Sequence, residues 1–252
     1  MFPMLSKIKA LYKEKNKGRN NNNVSNKEII TKFNHLLSVA EQIAYQNPRA
    51  LPDFVNSILR PLQAETNLAV AEIGQDAAPC IDPVFLFGQF IHDYQWEYPE
   101  CECKGSLLEN SHFIVRLDYH LVFSWPWSLS RYIQNISSVG KKKSVEENNS
   151  WTQDYNHKVS VWLPWGLCFV DGGNHSIMTG IASSEGRIQP NSVWDYSCLL
   201  DSLYTDGLCW YDSATKQQIG KVNDYRFAAV FEIGRLMRKY KCGADLFMIQ
   251  QK

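Results

Sequence analysis

The chain has 252 residues, 44% of them hydrophobic and 13% aromatic, which is material for one large core or for a main domain with a helical annex. Lys plus Arg number 26 and Asp plus Glu 26, so no global field attracts nucleic acid or a membrane surface, although a local basic patch is still allowed. Seven cysteines, an odd and dilute set with no secretory pattern ahead of them, suggest a reduced, cytoplasmic protein, and no apolar run is long enough to span a bilayer.

Residues 1–24 are basic and Asn-rich. The run Asn20 to Asn23 has no apolar period and reads as a flexible joint, while Met4, Leu5, Ile8 and Leu11 stand at roughly helical spacing. Such a leader is either solvated or an arm for a partner or a nucleic acid. Ser25-Asn26-Lys27-Glu28 then fits a capping box, and Ile29, Phe33, Leu36, Leu37, Ala40, Ile43 and Ala44 repeat with helical period up to Pro48. Pro52 to Leu59 predicts a short second helix stopped by Pro61, and Leu62, Leu68 and Ile73 a third, ended near Gly74. Asp82-Pro83 opens a fourth, with Val84, Phe87, Phe90 and Ile91 on its apolar face. Residues 25–105 are therefore expected to form a helical subdomain.

The joint Pro99 to Gly105 contains Cys101-x-Cys103. Zinc would need two further ligands, and the nearest candidates, Cys80 and His92, match no common spacing, so free thiols are expected rather than zinc. Residues 112–123 alternate. Phe113, Val115, Leu117, Tyr119, Leu121 and Phe123 predict the buried face of one strand; Arg116, Asp118 and His120 on the other face could line a cleft or be simply its wet side. Trp125-Pro126-Trp127-Ser128 then initiates a helix to about Ser138, with Leu129, Tyr132, Ile133 and Ile136 inward. In its first turn Ser128 and Arg131 could hold a phosphate beside the free amides, or could simply cap and be solvated. Lys141 to Asn156 reads as a long polar surface loop.

A hairpin follows: Val159 to Leu163, the turn Pro164-Trp165-Gly166, and Leu167 to Val170. It delivers Asp171-Gly172-Gly173-Asn174-His175-Ser176, which reads as strand, tight turn and helix start. Two glycines permit positive φ and close approach by a ligand, and the unpaired amides of the following helix favour an anion. His175 has the ordinary pKa for acid/base work, Asn174 is a polar partner, and Asp171 could hold Mg²⁺ or orient His175. The same residues also suit a tight loop of purely conformational purpose, with His175 a hydrogen-bonded core residue. Beyond the helix, closed by Gly186, residues Val193 to Leu200 look extended. Asp206-Gly207 marks a hairpin. Val222 to Tyr240 is an amphipathic helix terminated by Gly243.

The order strand, Ser128-Leu129-Ser130-Arg131 helix start, loop, hairpin, Asp171-Gly172-Gly173-Asn174-His175-Ser176, helix and strand, over residues 119–200, resembles the ParB/sulfiredoxin-like nucleotide-binding fold. Ser176 stands where that family usually carries an arginine. The chain also looks like one of the bacterial families of unknown function. The expected fold is α+β: the patterns above give a mostly helical N-terminal part and a C-terminal helix, and the resemblance implies a small mixed-sheet core within residues 106–252. It further implies that both helix starts converge on the phosphates of a nucleotide such as ATP, through Ser128, Arg131, Gly172, Gly173 and Ser176, with Asp171, Asn174 and His175 as catalytic candidates. The expected functions are phosphoryl transfer or nuclease-type hydrolysis, as the effector of a bacterial toxin–antitoxin or antiviral defence system. The alternative is a non-catalytic protein-interaction component of such an assembly, for which eight tryptophans and twelve tyrosines supply interface anchors.

Overall fold

The computed structural model describes residues 25–87, 105–141, 143 and 150–248. The basic leader, Cys101-x-Cys103, the later part of the helix opened by Asp82-Pro83, and residues 142 and 144–149 of the 141–156 loop lie outside the described residues. The fold is α+β. Helix α1 (Asn26–Gln46) starts where the capping pattern places it: Ser25 Oγ accepts the Glu28 N–H at 3.2 Å. The Glu28 carboxylate meets Lys32 one turn on, at 2.7 Å.

Helix α2 (Leu51–Ile73) corrects the two short helices expected on either side of Pro61, because it runs through the proline unbroken. Pro61 has no N–H for the Ser57 carbonyl, a loss of about 3 kcal/mol in a helix interior. However, Pro61 is exposed, and Val55, Ile58, Leu59, Leu62, Thr66, Ala69 and Val70 stay buried along one stripe. Burying each large apolar side chain is worth about 1.5–3 kcal/mol, so the stripe outweighs the missing bond. A short helix α3 (Pro83–Phe87) follows, with Leu86 and Phe87 buried.

The strand expected over 112–123 is two pieces, β2 (Val115–Arg116) and β3 (Leu121–Phe123), separated by a turn; β1 (Ser106–Leu108) precedes them. The turn forms because the amides of Tyr119 and His120 both donate to the Arg116 carbonyl, at 3.2 and 2.8 Å, and His120 Nδ1 accepts the Arg116 N–H at 2.7 Å. His120 is therefore not on a wet face. It is 2% exposed and stacked on Phe247 at 4.2 Å. Helix α4 (Leu129–Ser138) departs from expectation as well: none of its residues is buried, and Leu129 and Ile133 are exposed.

The remaining elements are β4 (Lys158–Leu163), β5 (Leu167–Gly172), α5 (Asn174–Ser183), β6 (Arg187–Ile188), β7 (Ser192–Asp195), α6 (Leu199–Ser202), β8 (Leu203–Thr205), β9 (Cys209–Asp212), β10 (Gln218–Lys221), α7 (Tyr225–Tyr240) and a 3₁₀ turn, Ala244–Phe247. The extended stretch expected over Val193 to Leu200 holds only for β7 and gives way to α6. The Asp206-Gly207 hairpin forms between β8 and β9, with Gly207 at φ +89° and Asp206 Oδ1 accepting the amides of Leu208 and Cys209. Helix α7 ends at Lys241 in the left-handed region rather than at Gly243. Gly243 is required for a different reason, since a Cβ there would lie 2.1 Å from the Pro164 carbonyl oxygen.

The main sheet has the order β1-β7-β4-β5-β3, with β7/β4 and β5/β3 parallel and the other pairs antiparallel. Alternation divides its side chains between two cores. Trp162, Leu167 and Phe169 join Leu59 and Leu62 of α2 and Phe227 and Phe231 of α7 on one face. Val159, Val161 and Cys168 join Trp151, Ile177 and Phe247 on the other. With both faces covered, the central strands are apolar almost throughout. The parallel pair positions the site: β3 and β5 lie side by side, Phe123 opposite Phe169, and the carboxyl end of each runs into a helix, α4 and α5.

Candidate anion-binding site

Strand β5 ends at Asp171-Gly172. Gly173 then turns the chain at φ +78° and serves as the N-cap of α5. The glycines turn out to make room for the protein itself. A Cβ on Gly172 would lie 2.5 Å from the Asn156 carbonyl oxygen, and one on Gly173 2.3 Å from His157 Cδ2. Of the positive φ expected at both glycines, only Gly173 has it; Gly172 is needed for space alone. Glycine at the N-cap has a second consequence: no side chain caps α5, so its first-turn amides lack side-chain acceptors. Asp171 stands exposed at the strand end. Partial desolvation raises its pKa above the usual carboxylate value, and the charge of Lys158 opposes the rise.

The two helix starts meet. Asn174 Oδ1 accepts the Trp125 N–H at 2.6 Å, and His175 Nε2 accepts the Ser128 N–H at 3.0 Å. Trp127 presents its edge to the His175 ring, with centroids 5.3 Å apart, and the Arg131 guanidinium lies 5.2 Å from the Trp127 centroid. Ser128, Arg131, Asn174 and His175 are thus brought together from two segments. The Ser128 hydroxyl is turned to Ser130 Oγ at 3.2 Å and caps no amide. Ser176 is half-buried, and its carbonyl accepts the Trp151 Nε1–H at 2.8 Å. His175 is buried, and that burial, followed by the charge of Arg131, lowers its pKa. Accepting the Ser128 amide leaves Nε2 unprotonated, so the ring stands neutral with its proton on Nδ1. Acid/base work through Nε2 would require His175 to release Ser128.

One residue of this region is absent from the pattern reading. His157 is 3% exposed, stacks on Trp151 at 4.7 Å and accepts the Asp154 N–H at Nδ1, 2.8 Å away. Its Nε2 therefore carries the proton, and that atom has no hydrogen-bond partner among the described residues. A buried, unanswered donor costs about 1–3 kcal/mol, so it calls for an acceptor. The neighbouring ring atom, Cδ2, is the one that lies against the N-cap of α5. Hairpin geometry was the available signal: a β4–β5 hairpin folded about Pro164-Trp165-Gly166 sets Lys158 opposite Gly172 and brings His157 to the foot of the glycine turn.

Two clefts among the described residues lie elsewhere, near the carboxyl end of α5. One of about 520 Å³ is lined by Arg116, Asp118, Lys141, Trp151 and Arg187; another of about 440 Å³ by Arg60, Asn67, Tyr132, Met178 and Ile181. None of the eight residues singled out in the sequence lines either. Among the described residues no three His, Cys, Asp or Glu side chains gather as a metal site, five cysteines are free, and no helix is long and apolar enough to cross a membrane. A family described as "Family of unknown function (DUF6710)" matches residues 12–243. No curated protein and no solved structure matches the chain.

Proposed function

The chain belongs to the DUF6710 family of unknown function, and we propose that it binds a phosphate-bearing ligand, a nucleotide such as ATP, where β5 turns into α5. The observation that carries this reading is the uncapped start of α5, with the Arg131 guanidinium and the unanswered His157 Nε2–H close to it. The amides of Asn174, His175 and Ser176 and the guanidinium hold phosphate oxygens, with Gly172 and Gly173 keeping the strand end tight and Ser128 at the neighbouring helix start. Helix-terminal amides and arginine forks are the donors that phosphate oxygens take best. The resemblance to the ParB/sulfiredoxin-like fold supports the same reading, since it implies phosphates at both helix starts. Phosphoryl transfer or nucleic-acid hydrolysis, in a cytoplasmic toxin–antitoxin or antiviral effector, extends the proposal. In that extension Asp171 holds Mg²⁺ and His175 moves a proton after leaving the Ser128 amide.

Calorimetric titration with ATP tests the binding step. Arg131 is exposed, so Arg131→Ala should melt as the wild type does while binding ATP about tenfold more weakly, the worth of one charge-assisted contact. Equal affinity in the two proteins, or no heat from either, defeats the proposal. A second reading, a non-catalytic interaction component, is favoured by the exposed Trp127, Leu129 and Ile133 at and along α4. Ile133→Glu strikes that surface and leaves ATP binding intact, so the two readings separate.

A further inference from the structure

The ladder between β2 and β6 sets Arg116 directly opposite Arg187. Directly opposed residues carry their side chains on the same face, with Cβ atoms about 4.5–5.5 Å apart, and like charges there repel. Asp118 answers only one of the two: it accepts Arg116 Nε at 3.1 Å and Nη2 at 2.6 Å. Arg187 is exposed and forms no ion pair among the described residues. Both arginines and Lys141 line the cleft of about 520 Å³.

The walls of this cleft are tied to each other. The Glu185 carboxylate accepts the Lys141 N–H at 2.9 Å and the Trp151 N–H at 3.2 Å, so its charge is directed to backbone amides on both sides. Gln153 and the backbone of Gln189 exchange two hydrogen bonds, at 3.1 and 2.9 Å. Gly186, at φ +110°, lies so close to the Trp151 indole that a Cβ would come within 2.5 Å of the ring.

We propose that this cleft is a second anion site, taking the phosphates of a small phosphorylated ligand between Arg116 and Arg187, with Lys141 completing the cationic rim. Its volume is that of a small-molecule pocket, and a chain of zero net charge has no long-range field to gather a polymeric polyanion. The cleft is built beyond the carboxyl end of α5, about 15 Å of helix away from the start of α5, and stands without that first site.

The test is titration with inorganic pyrophosphate against sodium chloride of matched ionic strength, with ATP as a second probe. It compares Arg131→Ala with the double variant Arg131→Ala/Arg187→Gln. The shared Arg131→Ala background weakens the helix-start site if that site exists and is neutral if it does not, so the Arg187 comparison reads the cleft in either case. Without ligand, the double variant should melt no lower than its parent, because one of two opposed cations is gone. It should bind pyrophosphate about tenfold more weakly, as the loss of an arginine–phosphate contact requires. ATP binding weakened in parallel identifies a nucleotide as an acceptable source of the phosphates. A parent that ignores pyrophosphate, or a double variant that binds it as its parent does, overturns the site.

Discussion

Among the described residues three imidazoles are buried, and in each burial lowers the pKa. His120 is the best defined. Its Nδ1 accepts the Arg116 N–H, its Nε2 bonds the Leu246 carbonyl at 3.2 Å, and burial takes its pKa from 6.5 down to about 4. The unfolded chain protonates near the ordinary histidine value, whereas the folded chain holds out to about pH 4. Between those pH values the unfolded state carries the extra proton, so stability falls as pH falls, by roughly 3 kcal/mol over the whole window. Urea unfolding from pH 7 to pH 4.5 should show that loss, and His120→Asn, whose Oδ1 can still accept the Arg116 amide, should flatten it. An identical pH slope in the two proteins would show that His120 is not its source. The sequence placed His120 on a wet strand face with Arg116 and Asp118, because a period of two cannot register a hydrogen bond from residue 116 to residue 120. Conversely, Asn174 and His175 were legible as the start of a helix, whereas their bonds to the amides of Trp125 and Ser128 join segments some fifty residues apart, which no local pattern registers.

At the scale of elements, legibility follows locality. The Ser25 cap, the Asp206-Gly207 hairpin and the β5–glycine–α5 turn are each decided by a few neighbouring residues, and each forms where the sequence places it. Pro61 and α4 were misread because packing decides them. Continuous burial along α2 carries a helix through a proline, and α4 is covered on one side only, with Tyr132 packed on Ala69 and Val70 of α2 while Leu129 and Ile133 stay exposed. Pro61→Ala tests the first of these. It returns an N–H to the Ser57 carbonyl at an exposed position, and the gain is partly offset by a freer unfolded chain. Unfolding free energy should rise by about 1–2 kcal/mol. A fall would mean that the proline's local geometry is itself required for α2 to meet the sheet.

At the scale of the whole molecule, the sheet is covered on both faces and its two parallel neighbours, β3 and β5, discharge into adjacent helix starts. Ligands of open α/β sheets gather at the carboxyl ends of strands for this geometric reason. With zero net charge, the anion recognition proposed above is a local matter, to be carried by a few amides, Arg131 and a buried imidazole. The most direct test is therefore an NMR titration of the ¹⁵N-labelled protein with ATP, following the backbone amides of Asn174, His175 and Ser176 and the imidazole of His157. Those four residues should shift together along one saturable curve, with Arg131→Ala moving the midpoint to higher ATP. Saturating ATP that leaves all four unmoved would contradict a phosphate site at the start of α5.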